Sequence, residues 1–135
     1  KDTQSTIDGD GVWSDWLETL SRLEGPVHLS IDIDGLDGSL VPATGTPVPG
    51  GLTYWQVYET IQTLFKASNA CVVSSDICEI GAQKDSPLTQ FTAAMLAMNV
   101  TAGHISARKS GLWVANNPLA GANREAVHIE HFSKK

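Results

Sequence analysis

The chain has 135 residues and a mass of 14.4 kDa, close to the usual size of one domain. Its formal net charge of −6 disfavours binding to nucleic acid, because an acidic surface repels phosphate backbones. No apolar run reaches the roughly 18 residues that cross a bilayer, so we expect no membrane partner. The first residues do not resemble a signal peptide, and two cysteines are too few for a disulfide framework. A cytoplasmic location is therefore expected.

The first half of the chain predicts a helix, a strand and a long loop. Ser14 is a suitable N-cap for a helix with apolar residues at Leu17, Leu20 and Leu23. Residues 27–34 alternate between apolar and polar, with a period of two that is typical of a strand. Residues 36–52 contain three prolines and four glycines, which predict an irregular loop. Long loops of this kind are more often functional than incidental.

The second half predicts helix, strand and helix. Thr53 and Gln56 form a capping-box pattern, and apolar residues follow it at helical spacing: Val57, Tyr58, Ile61, Leu64 and Phe65. Residues 70–80 form a strand-like run, and Pro87 marks the start of another helix whose apolar stripe is Leu88, Phe91, Met95 and Met98. We therefore assign residues 1–101 to one structural unit and residues 102–135 to an irregular C-terminal extension, with one short helix near 124–131.

The order strand, loop, helix, strand indicates a right-handed crossover between two parallel strands. Parallel sheets are normally covered by helices on both faces. Two strands and a few helices are too few to build such a sandwich, so the pattern predicts part of a larger α/β domain.

Asp32 and Asp34 stand at the end of the first predicted strand. A spacing of two on a strand places both carboxylates on one face. Adjacent carboxylates repel each other, and a divalent cation such as Mn²⁺ or Mg²⁺ relieves that repulsion through oxygen ligands. Two solvated acids that cap loop amides would have the same spacing, so both interpretations stay open.

Glu79 lies near the end of the second predicted strand. If the strands are parallel, Glu79 reaches the same edge of the sheet as Asp32, and ligands bind at this edge in open α/β sheets. A carboxylate at that position could accept two hydrogen bonds from a guanidinium group. Without further information, the sequence favours the simpler interpretation, in which Glu79 is a strand-end acid paired with a nearby lysine or a helix N-terminus.

Four segments together resemble the ureohydrolase family of arginases and agmatinases. They are HLSIDIDGLD at 28–37, PATGTP at 42–47, GGLTY at 50–54 and DICEI at 76–80. The resemblance covers roughly residues 27–98. It implies a three-layer α/β/α fold with a mainly parallel sheet, of which this chain would be the C-terminal portion.

The resemblance also implies a binuclear manganese site. Asp32 would bridge two Mn²⁺ ions, Asp34 would bind one of them, Glu79 would hold the substrate guanidinium, and Thr46 would contact the substrate. No catalytic residue beyond the metal ligands is expected in this chain. The implied reaction is hydrolysis of a guanidino compound to urea and an amine by a hydroxide formed from metal-bound water.

The sequence departs from the family pattern in its remaining ligands. The Gly-Gly-Asp-His and Asp-Ala-His-x-Asp motifs, which lie in the N-terminal half of family members, are absent from the 135 residues. Gly38 and Gly81 stand at positions where the family usually has other residues. We therefore expect little activity from the chain alone. Its expected partners are the N-terminal half of the enzyme, a small guanidino substrate and further copies in a trimer or hexamer.

Two alternatives stay open. Arginine and agmatine are not distinguished, because Asp34 to Asp37 favour arginase while Pro49 before Gly50 favours agmatinase. A non-catalytic fragment or assembly module would also fit the absent N-terminal ligands. The retained Asp32, Asp34 and Glu79 argue against that alternative, because drift without a metal gives no reason to keep them.

Overall fold

The computed structural model describes residues 11–82 and 86–117. Its regular elements, in chain order, are α1 (Val12–Ser21), β1 (Gly25–Asp32), α2 (Tyr54–Lys66), β2 (Ala70–Cys78), α3 (Leu88–Ser110) and α4 (Leu112–Asn116). A short 3₁₀ turn, Ile33–Gly35, follows β1. None of the helices in this described part is long and apolar enough to cross a membrane.

β1 and β2 pair in parallel, as the predicted crossover requires. Asp32 at the end of β1 is the ladder partner of Cys78 at the end of β2. The register shifts once, because Val27 and His28 pair with Val72 and Ser74 and leave Val73 as an extra residue. The two strands therefore end at the same edge of the sheet.

One face of the sheet is covered by helices and the other carries polar side chains. Leu29 and Ile31 of β1 are buried, whereas the alternate residues His28, Ser30 and Asp32 are exposed. The fully buried apolar side chains come from several elements: Ile33, Leu36, Val41, Ile61 and Leu96. The core therefore joins the end of β1 and the following loop to helices α2 and α3.

Helix α2 follows its sequence pattern closely. The Thr53 hydroxyl accepts a hydrogen bond from the Gln56 amide, and the Gln56 side chain accepts one from the Thr53 amide, which completes the predicted capping box. Of the five predicted apolar residues, Val57, Ile61, Leu64 and Phe65 are buried, and Tyr58 is half-buried.

Helix α3 differs from its prediction in two ways. It buries a different stripe, and the predicted apolar stripe of Leu88, Phe91, Met95 and Met98 faces outward with 42 to 66% exposure. It also continues without a break to Ser110, so residues 102–110, which were predicted to be irregular, are helical. The short helix predicted near 124–131 lies outside the described residues.

Helix α1 begins two residues earlier than its predicted cap. Gly11 occupies the N-cap position with φ of 82°, a left-handed conformation that suits glycine, and Ser14 lies inside the helix. The helix packs beside α2, where the Trp13 indole donates to Glu59 at 2.7 Å. Residues 1–10 lie outside the described part of the chain.

Candidate active-site edge of the sheet

Asp32 and Asp34 flank the fully buried Ile33 at the end of β1. Asp32 is the last residue of the strand and is exposed, while Asp34 lies in the 3₁₀ turn and is partly buried. The prediction that both stand on one face of a continuous strand is therefore wrong, because the strand ends at Asp32. The turn instead buries Ile33 in the core and leaves both acids beside the loop that follows.

The loop after the turn is closed at its base by backbone hydrogen bonds. The Asp37 amide donates to the Leu52 carbonyl, and the Leu52 amide donates to the Gly35 carbonyl, both at 2.9 Å. The Asp37 carboxylate accepts hydrogen bonds from the Ser39 hydroxyl, the Ser39 amide and the Gly50 amide. These bonds lower the pKa of Asp37, and the bond from the Ser39 hydroxyl contributes most. Asp37 therefore organises the loop.

Thr46 contacts Asp34 directly. Its hydroxyl donates to Asp34 Oδ2 at 2.6 Å across the loop. The structure thus brings together two residues that the sequence assigned to the same site. This bond occupies one oxygen of Asp34 and fixes the orientation of its carboxylate.

Glu79 leaves the end of β2 in an unusual backbone conformation. Its φ is 60°, and among the described residues other than glycine it alone has a positive φ. It follows Cys78, the ladder partner of Asp32, so Glu79 and Asp32 lie at the same edge of the sheet, as predicted. A left-handed glutamate is energetically unfavourable and persists only where its surroundings hold it.

The segment after Glu79 is held against the loop by Ala43. The Gly81 amide donates to the Ala43 carbonyl at 2.8 Å, and the Ala43 amide donates to the buried Thr89 hydroxyl at 2.8 Å. A Cβ at Gly81 would stand 2.5 Å from the Ala43 oxygen, so a side chain there would displace the segment. Ala43 therefore ties the segment of Glu79 to the loop of Thr46 and to the start of α3.

A row of polar side chains, which the sequence did not predict as a group, runs along the open face of the sheet. Asp76 accepts hydrogen bonds from Ser30 at 2.8 Å and Cys78 at 3.1 Å, and lies 2.9 Å from Nε2 of His28. Nδ1 of His28 lies 2.7 Å from the Ser74 hydroxyl. The register shift at Val73 places these residues opposite one another on the two strands. No short sequence motif predicts such a shift.

The same contacts shift two pKa values. The Cys78 thiol and the Ser30 hydroxyl lower the pKa of Asp76 by donating to its carboxylate. The bond to Asp76 raises the pKa of the Cys78 thiol, and the negative charges of Asp32 and Glu79 raise it further. The thiol is therefore a hydrogen-bond donor here, and Cys78 is exposed, unlike the buried Cys71.

The donor chemistry of this edge fits part of a metal site. Asp32 and Asp34 offer only carboxylate oxygens, which suit hard ions such as Mn²⁺. Within residues 11–82 and 86–117, no group of three or more His, Cys, Asp or Glu side chains is placed to hold a metal ion. These acids therefore fit a binuclear centre only if further ligands are supplied from elsewhere.

Comparison with known proteins identifies the family. The family model described as the arginase family matches residues 3–103, which is most of the chain. The chain belongs to the arginase family. The agmatinase of Pyrococcus horikoshii is 41% identical over 85 residues, which are 63% of this chain and 29% of that protein. Arginase-1 of Homo sapiens is 46% identical over 68 residues, 47% of this chain and 21% of that protein.

A solved structure supports the arginase-like α/β fold. The agmatine ureohydrolase of Thermoplasma volcanium superposes with a TM-score of 0.65 at 30% identity, over 77% of this chain and 34% of that chain. The parallel sheet and its helices are thus a portion of the arginase fold. The chain spans about a third of the length of these relatives or less.

Proposed function

We propose that this chain supplies the guanidinium-binding carboxylate and two metal-binding carboxylates of a manganese-dependent ureohydrolase. The enzyme would hydrolyse a guanidino compound to urea and an amine. The observation that carries the proposal is the parallel pairing of β1 and β2, which puts Asp32, Asp34 and Glu79 at one edge. The relatives named above are called agmatinase, arginase and agmatine ureohydrolase, which is consistent with this chemistry.

Each residue of the edge has a separate role in the proposal. Asp32 and Asp34 would hold the Mn²⁺ ions, and the chemistry those ions supply when bound is a lowered pKa of water, hence hydroxide near neutral pH. The Thr46 hydroxyl, which donates to Asp34, orients that carboxylate and lines the substrate site. Glu79 would accept two parallel hydrogen bonds from the guanidinium and so fix the position of its carbon.

The proposal assigns the remaining ligands to a part of the enzyme that the 135 residues do not include. The substrate would be arginine or agmatine. The enzyme would be a cytoplasmic homo-oligomer, a trimer or hexamer, as the family resemblance suggests. The isolated chain is expected to bind Mn²⁺ weakly, because two carboxylates leave most coordination positions to water.

The test is urea release by the full-length gene product with Mn²⁺, measured separately with arginine and agmatine. Glu79→Gln should lower kcat/KM about 10- to 100-fold, since a hydrogen bond to a charged group contributes about 1.5 to 3 kcal/mol. Glu24→Gln is the matched control, because Glu24 is exposed and lies just before β1, at the opposite end of the strand from Asp32, and it should change kcat/KM less than twofold. Absence of urea from every guanidino compound tested would refute the proposal and favour a non-catalytic module.

A further inference from the structure

The position of the Glu79 carboxylate depends on the backbone around it. The side chain is exposed, and within the described part of the chain it accepts no hydrogen bond. β2 ends one residue earlier, at Cys78, so Glu79 is no longer part of the strand. Its φ of 60° is a conformation that a glutamate keeps only where its surroundings hold it. The contacts just after Glu79 therefore determine where its carboxylate stands.

One backbone hydrogen bond anchors the chain just after Glu79. The Gly81 amide donates to the Ala43 carbonyl at 2.8 Å, and in the described structure no other backbone hydrogen bond involves residues 80–82. Gly81 lies so close to Ala43 that a Cβ on Gly81 would stand 2.5 Å from the carbonyl oxygen. The position of the Glu79 segment is therefore set against Ala43.

Ala43 is held in turn by Thr89, which lies in the first turn of α3. The Thr89 hydroxyl accepts a hydrogen bond from the Ala43 amide at 2.8 Å. The Thr89 side chain is fully buried, at 0% exposure, and few polar side chains in the described part of the chain are buried. A buried hydroxyl without a partner is unfavourable, so the bond to Ala43 is strongly preferred to its loss. A helix of 23 residues thus supports the backbone contact that follows Glu79.

We propose that Thr89 is a positioning residue for the carboxylate of Glu79. Its hydroxyl fixes Ala43, and Ala43 fixes Gly81, two residues after Glu79. The inference deepens the proposed function and rests on it, because it takes Glu79 as the acceptor of the substrate guanidinium. Two parallel hydrogen bonds require the carboxylate and the guanidinium to be coplanar, so a small displacement of Glu79 weakens both bonds.

A second buried threonine of α3 makes a similar bond that leads elsewhere. Thr92, about one turn further along the helix, donates to the Leu40 carbonyl at 3.2 Å and is 9% exposed. The Leu40 amide donates to the Asp37 carbonyl, so this connection reaches the base of the loop and not Gly81. Both threonines join α3 to the loop and stabilise the fold. Thr92 therefore serves to separate a purely structural role from a positioning role.

The experiment compares valine variants of the two threonines in the full-length gene product with Mn²⁺. Valine keeps the branched shape of threonine and removes the hydroxyl. Thr89→Val should lower kcat/KM for urea release about tenfold, because misplacing a positioned group by about 1 Å costs up to about 100-fold. Thr89→Ser keeps the hydroxyl and should restore kcat/KM to within about twofold of the unmodified enzyme. Thr92→Val is the matched control and should change kcat/KM less than about twofold.

A double-mutant cycle measures whether Thr89 acts through Glu79. In a Glu79→Gln background, Thr89→Val should lower kcat/KM by less than about twofold more, because the charged acceptor that Thr89 positions is already absent. A loss of about tenfold in both backgrounds would show that Thr89 acts through another group, such as Thr46, or through stability alone. That result would overturn the inference.

Urea denaturation of the same proteins separates a loss of folding from a loss of positioning. Thr89→Val and Thr92→Val each remove one buried hydrogen bond to the backbone, so their unfolding midpoints should fall by similar amounts. If Thr89→Val does not fold, Gly81→Ala tests the same path without a change in the core. It should lower kcat/KM about tenfold, and less than about twofold in the Glu79→Gln background. Full activity of Gly81→Ala would overturn the inference.

Different results would refute the proposed function and the role of Thr89. If the unmodified gene product releases no urea from any guanidino compound, the proposed function fails, and the positioning role fails with it. If the unmodified enzyme is active and Glu79→Gln lowers kcat/KM as expected, the proposed function stands. Equal kcat/KM for Thr89→Val and Thr92→Val in that active enzyme would then overturn only the role of Thr89.

Discussion

Helices α2 and α3 pack against each other, but they differ in which of their apolar residues are buried. In α2, four of the five apolar residues at helical spacing are buried, and the opposite side carries polar residues such as Glu59. In α3, one stripe of small and apolar residues packs on this chain, and a second apolar stripe faces outward. The buried stripe consists of Thr89, Thr92, Ala93, Leu96, Val100, Gly103 and Ala107.

The difference teaches that the largest apolar residues do not always mark the face a helix buries. Phe91, Met95 and Met98 are larger than Thr92, Ala93 and Gly103, but the small residues allow α3 to approach its neighbours closely. A helix that is apolar on two sides is typical of one with partners on two sides. In this chain the main apolar stripe of α2 is buried, whereas α3 has one covered side and one uncovered side.

The largest expected effect comes from the buried stripe of α3. Leu96 is fully buried, so Leu96→Ala should lower the free energy of unfolding by about 3 kcal/mol through lost burial and a cavity. Met98→Ala, on the outward stripe, should change it by about 0.5 kcal/mol or less. Urea denaturation of the chain measures both. Equal losses for the two variants would contradict the assignment of the stripes.

A smaller effect is expected where α3 meets α2. A Cβ at Gly103 would stand 2.3 Å from the Phe65 ring, so Gly103→Ala forces the ring to move. Overpacking costs about 1 to 3 kcal/mol, and the better helix propensity of alanine offsets about 1 kcal/mol of it. Denaturation should therefore show a net loss of about 1 kcal/mol. In a Phe65→Leu background, which relieves the contact, the same substitution should be neutral or stabilising; persistence of the loss there would exclude the Phe65 contact as its cause.

The start of α2 provides the next test. Its capping box depends on the Thr53 hydroxyl, so Thr53→Ala should cost about 1 kcal/mol, whereas Thr53→Ser keeps the hydroxyl and most of the stability. Thermal unfolding followed by circular dichroism measures the difference. A substitution of Pro87, the N-cap of α3, should cause no comparable loss of stability, because the Pro87 side chain makes no capping bond. A serine variant as unstable as the alanine variant would show that the cap contributes nothing.

The smallest effect is a dependence of stability on pH through His104 of α3. Burial, and then the positive charge of Arg108, lower the pKa of His104 below its ordinary value of 6.5. The unfolded chain therefore binds a proton more readily, so stability is fully present above pH 6.5 and falls as the pH drops below it. His104→Gln should flatten the change in unfolding free energy between pH 7 and 5. The exposed His28 serves as control, and an equal flattening by His28→Gln would refute the role of His104.

The sequence predicted those features that depend on local chemistry. The capping box, the alternation in β1 and the parallel crossover were each visible in residue types and spacing, and the structure confirms them. The buried face of helix α3 was harder to predict, because it depends on which elements pack against each side of the helix. Its continuation through Gly103 to Ser110 was hidden by a glycine whose role is close contact with Phe65.

The candidate site was predicted in its residues but not in its local geometry. Asp32 and Glu79 meet at one edge because the strands are parallel, a fact that the order of elements implied. The turn at Ile33–Gly35 was hidden by the apolar–polar alternation, which continues through Asp34, and the left-handed Glu79 was not predictable because glutamate does not favour that conformation. The metal and substrate roles of Asp32, Asp34, Thr46 and Glu79 stay predictions.

The extra residue Val73 has a consequence for how this strand tolerates changes in length. Cys71 and Ser74 are three apart but pair with Pro26 and His28, which are two apart, so the bulge reverses the odd–even phase of everything after it. Because Val73 has no partner in the ladder, its deletion would leave Val72 opposite Val27 and Ser74 opposite His28, and Asp76 would keep its place on the open face beside Ser30. A deletion at position 73 would therefore remove the bulge and keep the site, whereas deletion of Ser75, downstream of the bulge, would place Asp76 opposite Leu29 and turn it toward the helices.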